Sequence, residues 1–279
     1  MEHCSLDVTA VHIILASIML VCFGSAIGAY VFRTPKHEEY QWKKEAHEFL
    51  DLEFQESESP PKSFFSGRSH CPNCQQTLSS IDLIPLLSFS INKKRCRHCK
   101  SPIPWFYFII ETTTLFLCLP LLWVANNEFE FLIISLIFCC LLTISLIDWQ
   151  YQWIPDQLNL LLLGLALTYV LLGPLELLQS SILGMLVGYL FVTCIRQIYL
   201  SIRQVEAIGM GDAKLLSGLG AWQGLDALFI IIFVASTLGI LYVLIYKKPR
   251  DQTIAFGPFL CAAAIIHFII NQLIFVPSY

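Results

Sequence analysis

Charge is what this sequence has least of. Asp, Glu, Lys and Arg make up 14% of its 279 residues, against 56% hydrophobic residues, and the mean hydropathy is +0.66. A soluble domain carries about 25% charged residues. The shortage therefore excludes an ordinary soluble domain and points to a polytopic membrane protein embedded in a lipid bilayer. Nothing in the composition suggests a nucleic-acid partner. The chain begins MEHCSLD, with no basic n-region, and the apolar run from Val8 is too long for a signal-peptide core. A cleavable signal is not expected, and this run reads as a first span. No internal repeat is visible, which removes the sequence sign of an inverted-repeat transporter with acids as a proton relay. No Gly-rich Rossmann fingerprint is visible either.

What is present is a series of apolar runs. A span needs about 20 apolar residues. Residues 8–32 supply one, and further runs cover 105–125, 129–147, 158–173, 175–195, 225–246 and 254–276. The polar block 33–104 holds 11 of the 17 basic residues; the other six are Arg196, Arg203, Lys214, Lys247, Lys248 and Arg250. Positive loops stay in the cytoplasm, which puts the N-terminus outside. Arg196 and Arg203 should then lie on the same side as Lys247, Lys248 and Arg250, yet only one long run, 225–246, separates them. A second crossing is required, and 212–224, DAKLLSGLGAWQG, is the candidate. Its shortness is tolerable if it starts within a cytoplasmic cavity. The expected fold is an all-α polytopic membrane protein of about eight transmembrane helices. Its expected parts are a first helix (1–32), an inserted cytoplasmic metal-binding domain (33–104) and a membrane domain (105–279). Within the insert, 36–62 reads as a linker or a loose helix.

Acids inside apolar runs are costly and are functional candidates. Asp148 ends LLTISLID, where a negative charge opposes the helix dipole. Asp212 follows GMG at the start of the short crossing. Both fall at cytoplasmic ends, at similar depth. Two carboxyls a few ångströms apart share a proton, so one can act as general base on water and the other as general acid on a carbonyl. Gly209 and Gly211 would let a substrate backbone approach. Asp156, after Pro155, suits a helix N-cap. Lys214 either biases the dyad or snorkels to the interface. Glu111 meets either the substrate or a polar partner inside the bundle. Gly184 and Gly188 form G-x-x-x-G, a close-packing signature, and His267 reads as a packed core residue.

Seven of the eleven cysteines lie in or beside apolar runs, where a thiol acts as a small hydrophobe. The other four form CPNC (71–74) and CRHC (96–99). Two C-x-x-C pairs at this separation suit a closed, structural tetrahedral zinc site of Cys71, Cys74, Cys96 and Cys99. The alternatives are redox thiols, or His70 and His98 as substitute ligands.

Taken together, these motifs resemble the type IV prepilin peptidases, also called leader peptidase/N-methyltransferases. FGSAIGAYVFRTP (23–35) is similar to the family's first segment, and RSHCPNCQQTLSSIDLIPLLSF (68–89) and KRCRHCKSPIPWFYFIIE (94–111) to its two zinc halves. DWQYQWIPD (148–156) and GMGDAKLLSGLGAW (209–222) look like its two aspartate motifs, and FGPFL (256–260) like its closing motif. The resemblance implies an intramembrane aspartyl endopeptidase of the GxGD kind in the bacterial inner membrane. It would remove the short basic leader of type IV prepilins or type II secretion pseudopilins at the cytoplasmic face. By position, Asp148 and Asp212 carry over as the catalytic aspartates and the four cysteines as zinc ligands. Methylation of the new N-terminus with S-adenosylmethionine is implied by the family, with peptidase activity alone as the alternative. Gly28 stands where the family usually has Asn.

Overall fold

A computed structural model describes residues 8–53, 60–61, 63–64, 71, 73–74, 76–77, 79, 95–174, 176–204, 209–247 and 253–275. Among them are seven α-helices: α1 (Ala10–Phe49), α2 (Trp105–Cys118, followed by a 3₁₀ segment Leu119–Trp123), α3 (Glu128–Tyr151), α4 (Asp156–Leu172), α5 (Glu176–Arg203), α6 (Met210–Tyr246) and α7 (Gly257–Phe275). Five segments are long and apolar enough to cross a bilayer: α1, α2 with its 3₁₀ extension, α3, α5 and α6. The chain divides into two compact units, Asp7–Pro120 and Leu121–Tyr279. The break follows α2.

In the first unit α1 does not stop at Phe32. It runs on to Phe49 through Pro35. An interior proline costs a helical hydrogen bond, but the sequence beyond it, HEEYQWKKEAHEF, is rich in strong helix formers. A Glu39–Lys43 pair at 2.6 Å adds i,i+4 support. Residues 36–49, within the stretch expected to be a linker or a loose helix, are thus helix; the IPLLS stretch and His70 lie outside the described residues. The buried stripe Leu20, Gly24, Ile27, Gly28 and Val31 packs against α2. A Cβ at Gly24 would fall 2.7 Å from Glu111 Cα, and one at Gly28 would fall 2.9 Å from the Tyr107 ring. Gly28 is therefore the residue that admits Tyr107.

The second unit is built round α3, which is buried along most of its length. Asn127 caps it by accepting a hydrogen bond from the Glu130 N–H at 2.9 Å, and Glu128 and Glu130 favour its positive end. The tightest packing joins α5 to α6. A Cβ at Gly184 would overlap the Gly220 carbonyl, one at Gly220 would overlap that of Gly184, and one at Gly188 would fall 2.8 Å from Leu216 O. The G-x-x-x-G signature thus meets backbone directly. Gly220→Leu must push two helices apart; overpacking costs about 1–3 kcal/mol or more. We expect a clear loss of thermal stability for that variant in detergent.

Gly224 decides the course of α6. Its φ of 83° and ψ of 178° break the helix, and φ in that range favours glycine. Ser180 Oγ accepts the Leu225 N–H at 3.1 Å and so caps the second half. Ring contacts give the direction of each half. Trp222 stacks on Phe268 at 4.9 Å and lies 6.0 Å from Phe138 of α3. Tyr242 lies 5.3 Å from Trp149, at the other end of α3. Gly211, beside Asp212, packs on Ile154, whose side chain also reaches Gly257 next to Asp148 at that same end. A straight 37-residue helix would be about 55 Å long and would hold residues 212 and 242 far apart. Residues 210–223 and 225–246 instead run antiparallel, reversing at Gly224. The reversal falls at the end of the 212–224 segment.

Candidate active site and metal centre

Asp148 lies one turn before the C-terminus of α3 and is buried. Its own helix end disfavours a negative charge. The compensation comes from another helix: the Gly257 N–H, at the N-terminus of α7, donates to Asp148 Oδ2 at 3.0 Å. A Cβ at Gly257 would fall 2.7 Å from that oxygen. Glycine is thus what allows the helix end to reach the carboxylate. FGPFL carries no acid, base or metal ligand, so the role of Gly257 was not visible in the sequence. The available signal was a Gly-Pro pair at the head of an apolar run, where proline suits a helix start.

Asp212 lies in the first turn of α6, three residues after its N-cap Gly209. Its Oδ1 is buried and makes no hydrogen bond, an unusual state for a carboxylate oxygen unless a ligand or water is to meet it. Gly209 is exposed beside it, with a Cβ position 3.7 Å from Oδ2. Gly211 is occupied differently. A Cβ there would fall 3.1 Å from Ile154 Cβ, so its missing side chain admits Ile154 of the α3–α4 loop. Cys261, one turn after Gly257 on α7, is fully buried. Thus α3, α6 and α7 bring together Asp148, Asp212 and Gly257.

Asp156 is not the N-cap of α4. Pro155 holds that position and Asp156 is the first helical residue, with no side-chain cap hydrogen bond. Its Oδ1 accepts from Lys214 Nζ at 2.7 Å, both side chains being well exposed. This pair ties the starts of α4 and α6 together and settles where Lys214 points. Gln152, the C-cap of α3, exchanges hydrogen bonds with Thr253: Gln152 Nε2 donates to Thr253 O at 3.0 Å, and Thr253 Oγ1 donates to Gln152 Oε1 at 2.7 Å. Glu111 is buried in α2, in the other compact unit. His267 is not a purely apolar core residue: its Nδ1 shares a 2.5 Å hydrogen bond with Gln223 Oε1, whose amide donates to Ala264 O.

The four cysteines of the first unit converge. Their sulfurs all lie within 4.8 Å of one another, with Cys71 and Cys99 at 3.7 Å. Four sulfurs about 2.3 Å from a tetrahedral zinc stand about 3.8 Å apart, so the cluster fits the ion. The two C-x-x-C turns match: the Cys71 N–H donates to Gln76 O at 2.9 Å, and the Cys96 N–H to Ser101 O at 2.8 Å. An Arg95–Pro102 bridge closes the second turn. The Cys99 thiol is pulled down to about 5 by hydrogen bonds from the Ser101 hydroxyl, the Ser101 backbone and the Asn73 amide. Donation of this kind favours the thiolate, the ligating form. The C-x-x-C spacing picked out the four cysteines; Ser101 and Asn73 were not marked by it.

The model of the Bacterial Peptidase A24 N-terminal domain matches residues 18–125, and that of the Type IV leader peptidase family matches residues 135–244. The gap between them falls close to the break between the compact units. A Prepilin leader peptidase/N-methyltransferase of Neisseria gonorrhoeae is 30% identical to this chain, covering 92% of it and 90% of the relative. One from Aeromonas hydrophila is 31% identical, over 90% of this chain and 87% of the relative. The Type 4 prepilin-like proteins leader peptide-processing enzyme of Escherichia coli O78:H11 is 33% identical, over 90% and 91%. No solved structure gives a significant match.

Proposed function

Because this chain belongs to the type IV leader peptidase family, we propose that it is an aspartyl endopeptidase that removes leaders from prepilins or pseudopilins, with Asp148 and Asp212 as its dyad. The observation that carries this reading is the convergence of two acids, from the end of α3 and the start of α6, beside the N-terminus of α7. In the proposed reaction the dyad holds one proton. The ionised carboxyl takes a proton from a water, which attacks the scissile carbonyl, and the protonated carboxyl donates to the carbonyl oxygen. Gly257 holds Asp148 through its N–H. The unpartnered Oδ1 of Asp212 is the free acceptor on the other side.

We place the dyad at the cytoplasmic face of the bacterial inner membrane, with eight crossings, α6 supplying two. The basic residues of 33–104 and the reversal at Gly224 support that arrangement. Cys71, Cys74, Cys96 and Cys99 would hold a structural zinc, whose closed four-sulfur shell leaves no position for substrate. The relatives' names imply methyl transfer from S-adenosylmethionine; no described residue marks a place for that cofactor, and no step here runs through it.

The test is incubation of the purified protein with a prepilin, followed by mass spectrometry of the product. The expected product lacks the leader, and an added methyl group on its N-terminus would report the second activity. An intact prepilin would overturn the peptidase reading. One substitution probes the geometry. Gly257→Ala pushes a methyl group against Asp148 Oδ2, and kcat should fall by about tenfold to a hundredfold with little change in KM, as for an interaction used in the transition state.

A further inference from the structure

The loop between α3 and α4, residues 152–155, touches every helix end that forms the candidate site. It opens at Gln152, the C-cap of α3, whose φ of 53° turns the chain sharply. Gln152 is tied to the segment before α7 by its two hydrogen bonds with Thr253. Just past the loop, Asp156 pairs with Lys214 of α6. Between these exposed ties lies Ile154, which is only 6% exposed. No step of the proposed reaction uses it.

Ile154 is set against two glycines at once. A Cβ at Gly211, next to Asp212, would fall 3.1 Å from Ile154 Cβ and 3.6 Å from its Cδ1. A Cβ at Gly257, whose N–H holds Asp148, would fall 3.2 Å from that same Cδ1. One side chain thus lies between the start of α6 and the start of α7. Backbone conformation does not demand either glycine, since Gly224 is the only described glycine with positive φ. At Gly211 the demand comes from Ile154 itself, and at Gly257 from Ile154 together with Asp148 Oδ2. The exposed Asp156–Lys214 pair cannot fix the spacing alone, because such pairs contribute about 0–1 kcal/mol. A buried, close-packed side chain transmits a displacement directly.

We propose that Ile154 is a positioning residue for the dyad: wedged between Gly211 and Gly257, it sets how far Asp212 stands from Asp148. The proposal rests on the peptidase reading above. Asp148 is fastened to the start of α7 by the Gly257 N–H. The placement of the α6 start against the α7 start is therefore the placement of Asp212 against Asp148. Gly211 then serves as the socket for Ile154 rather than as a path for substrate backbone. Carboxyls share a proton only when they are close, and a misplacement of about 1 Å can cost about a hundredfold in rate.

The test reads spacing and catalysis separately. For spacing, Asp148→Cys and Asp212→Cys are combined in the full chain and bridged with a short bifunctional thiol reagent. Mass spectrometry then quantifies the peptide that links positions 148 and 212. Gly211→Ala, which drives a methyl group into Ile154, should slow the bridging about tenfold. Adding Ile154→Ala, which gives the loop room to shift, should restore most of the rate. A rate that Gly211→Ala leaves unchanged overturns the proposal, and so does a parent pair that cannot be bridged. For catalysis, both aspartates are kept. Gly211→Ala should lower kcat for prepilin about tenfold to a hundredfold and leave KM within about twofold. Adding Ile154→Ala should recover much of that loss, because residues that share one contact do not act additively. Losses that simply add, or a KM that rises while kcat holds, overturn the proposal. An unmodified protein that leaves prepilin intact overturns the peptidase reading, and the bridging rates still decide the spacing.

Discussion

Asp148→Asn and Asp212→Asn each lower kcat/KM for leader removal by about a thousandfold or more, while Asp156→Asn keeps most of the activity. The first two numbers follow from chemistry. An amide neither takes a proton from water nor gives one to a carbonyl at the relevant step, and proton transfer by a positioned group contributes about 10²–10⁴ in rate. Members of a unit that act together do not add, so the double variant should be no worse than the poorer single one by more than a small factor. The substitutions are nearly isosteric. In Asp148→Asn the amide oxygen can still accept the Gly257 N–H, so the N-terminus of α7 remains capped and the protein should melt close to the unmodified one. Asp156 differs because its carboxylate already has a partner in Lys214 at 2.7 Å and both are exposed. Exposed pairs contribute about 0–1 kcal/mol, so its loss should be felt weakly. Full activity in Asp148→Asn would remove Asp148 from the dyad.

Some of this was legible in the sequence and some was not, for physical reasons. Asp148 and Asp212 could be singled out because an acid in an apolar run needs a reason. The short segment after Asp212 could be singled out because basic loops are expected to return to one side, and Gly224, at its end, is where α6 reverses. The four cysteines announce themselves by spacing. By contrast, the Asp148–Gly257 hydrogen bond joins residues 109 apart, and no local pattern encodes it. The Asp156–Lys214 pair is hidden in the same way: each residue has a plausible local role, as cap or as interfacial cation, and only the packing of Ile154 against Gly211 brings them together. The extension of α1 past Phe32 was masked by Pro35 and by a polar composition that resembles a linker. There the local helix propensity of residues 37–49 prevails over the signs of a boundary.

Cys96→Ser should abolish stoichiometric zinc binding. The unmodified protein is expected to carry one zinc per chain, and the variant to bind it at least a hundredfold, roughly, more weakly. Four thiolates satisfy a tetrahedral ion, and a structural zinc contributes about 10–16 kcal/mol of apparent binding energy in small metal-folded units. A serine hydroxyl does not replace a thiolate of this kind. The buried position of Cys96 makes the effect larger than at an exposed ligand, because the turn closed by the Cys96 N–H to Ser101 O hydrogen bond is built around that side chain. Asn73→Ala, which removes only the amide donor to Cys99 Sγ at 3.6 Å, should cost about tenfold to a hundredfold in affinity, the usual range for a group that orients a ligand. Metal analysis of the purified proteins, and titration with a chelator of known affinity, separates the two variants. A structural ion predicts a second readout: limited proteolysis should open the Cys-containing stretch in Cys96→Ser and leave the second unit, Leu121–Tyr279, intact. A Cys96→Ser variant that keeps its zinc through chelation would point to a substitute histidine ligand, whereas unmodified protein that purifies without zinc would return the cluster to the alternative of redox thiols. In that case oxidant treatment should join Cys71 and Cys99, whose sulfurs already lie 3.7 Å apart.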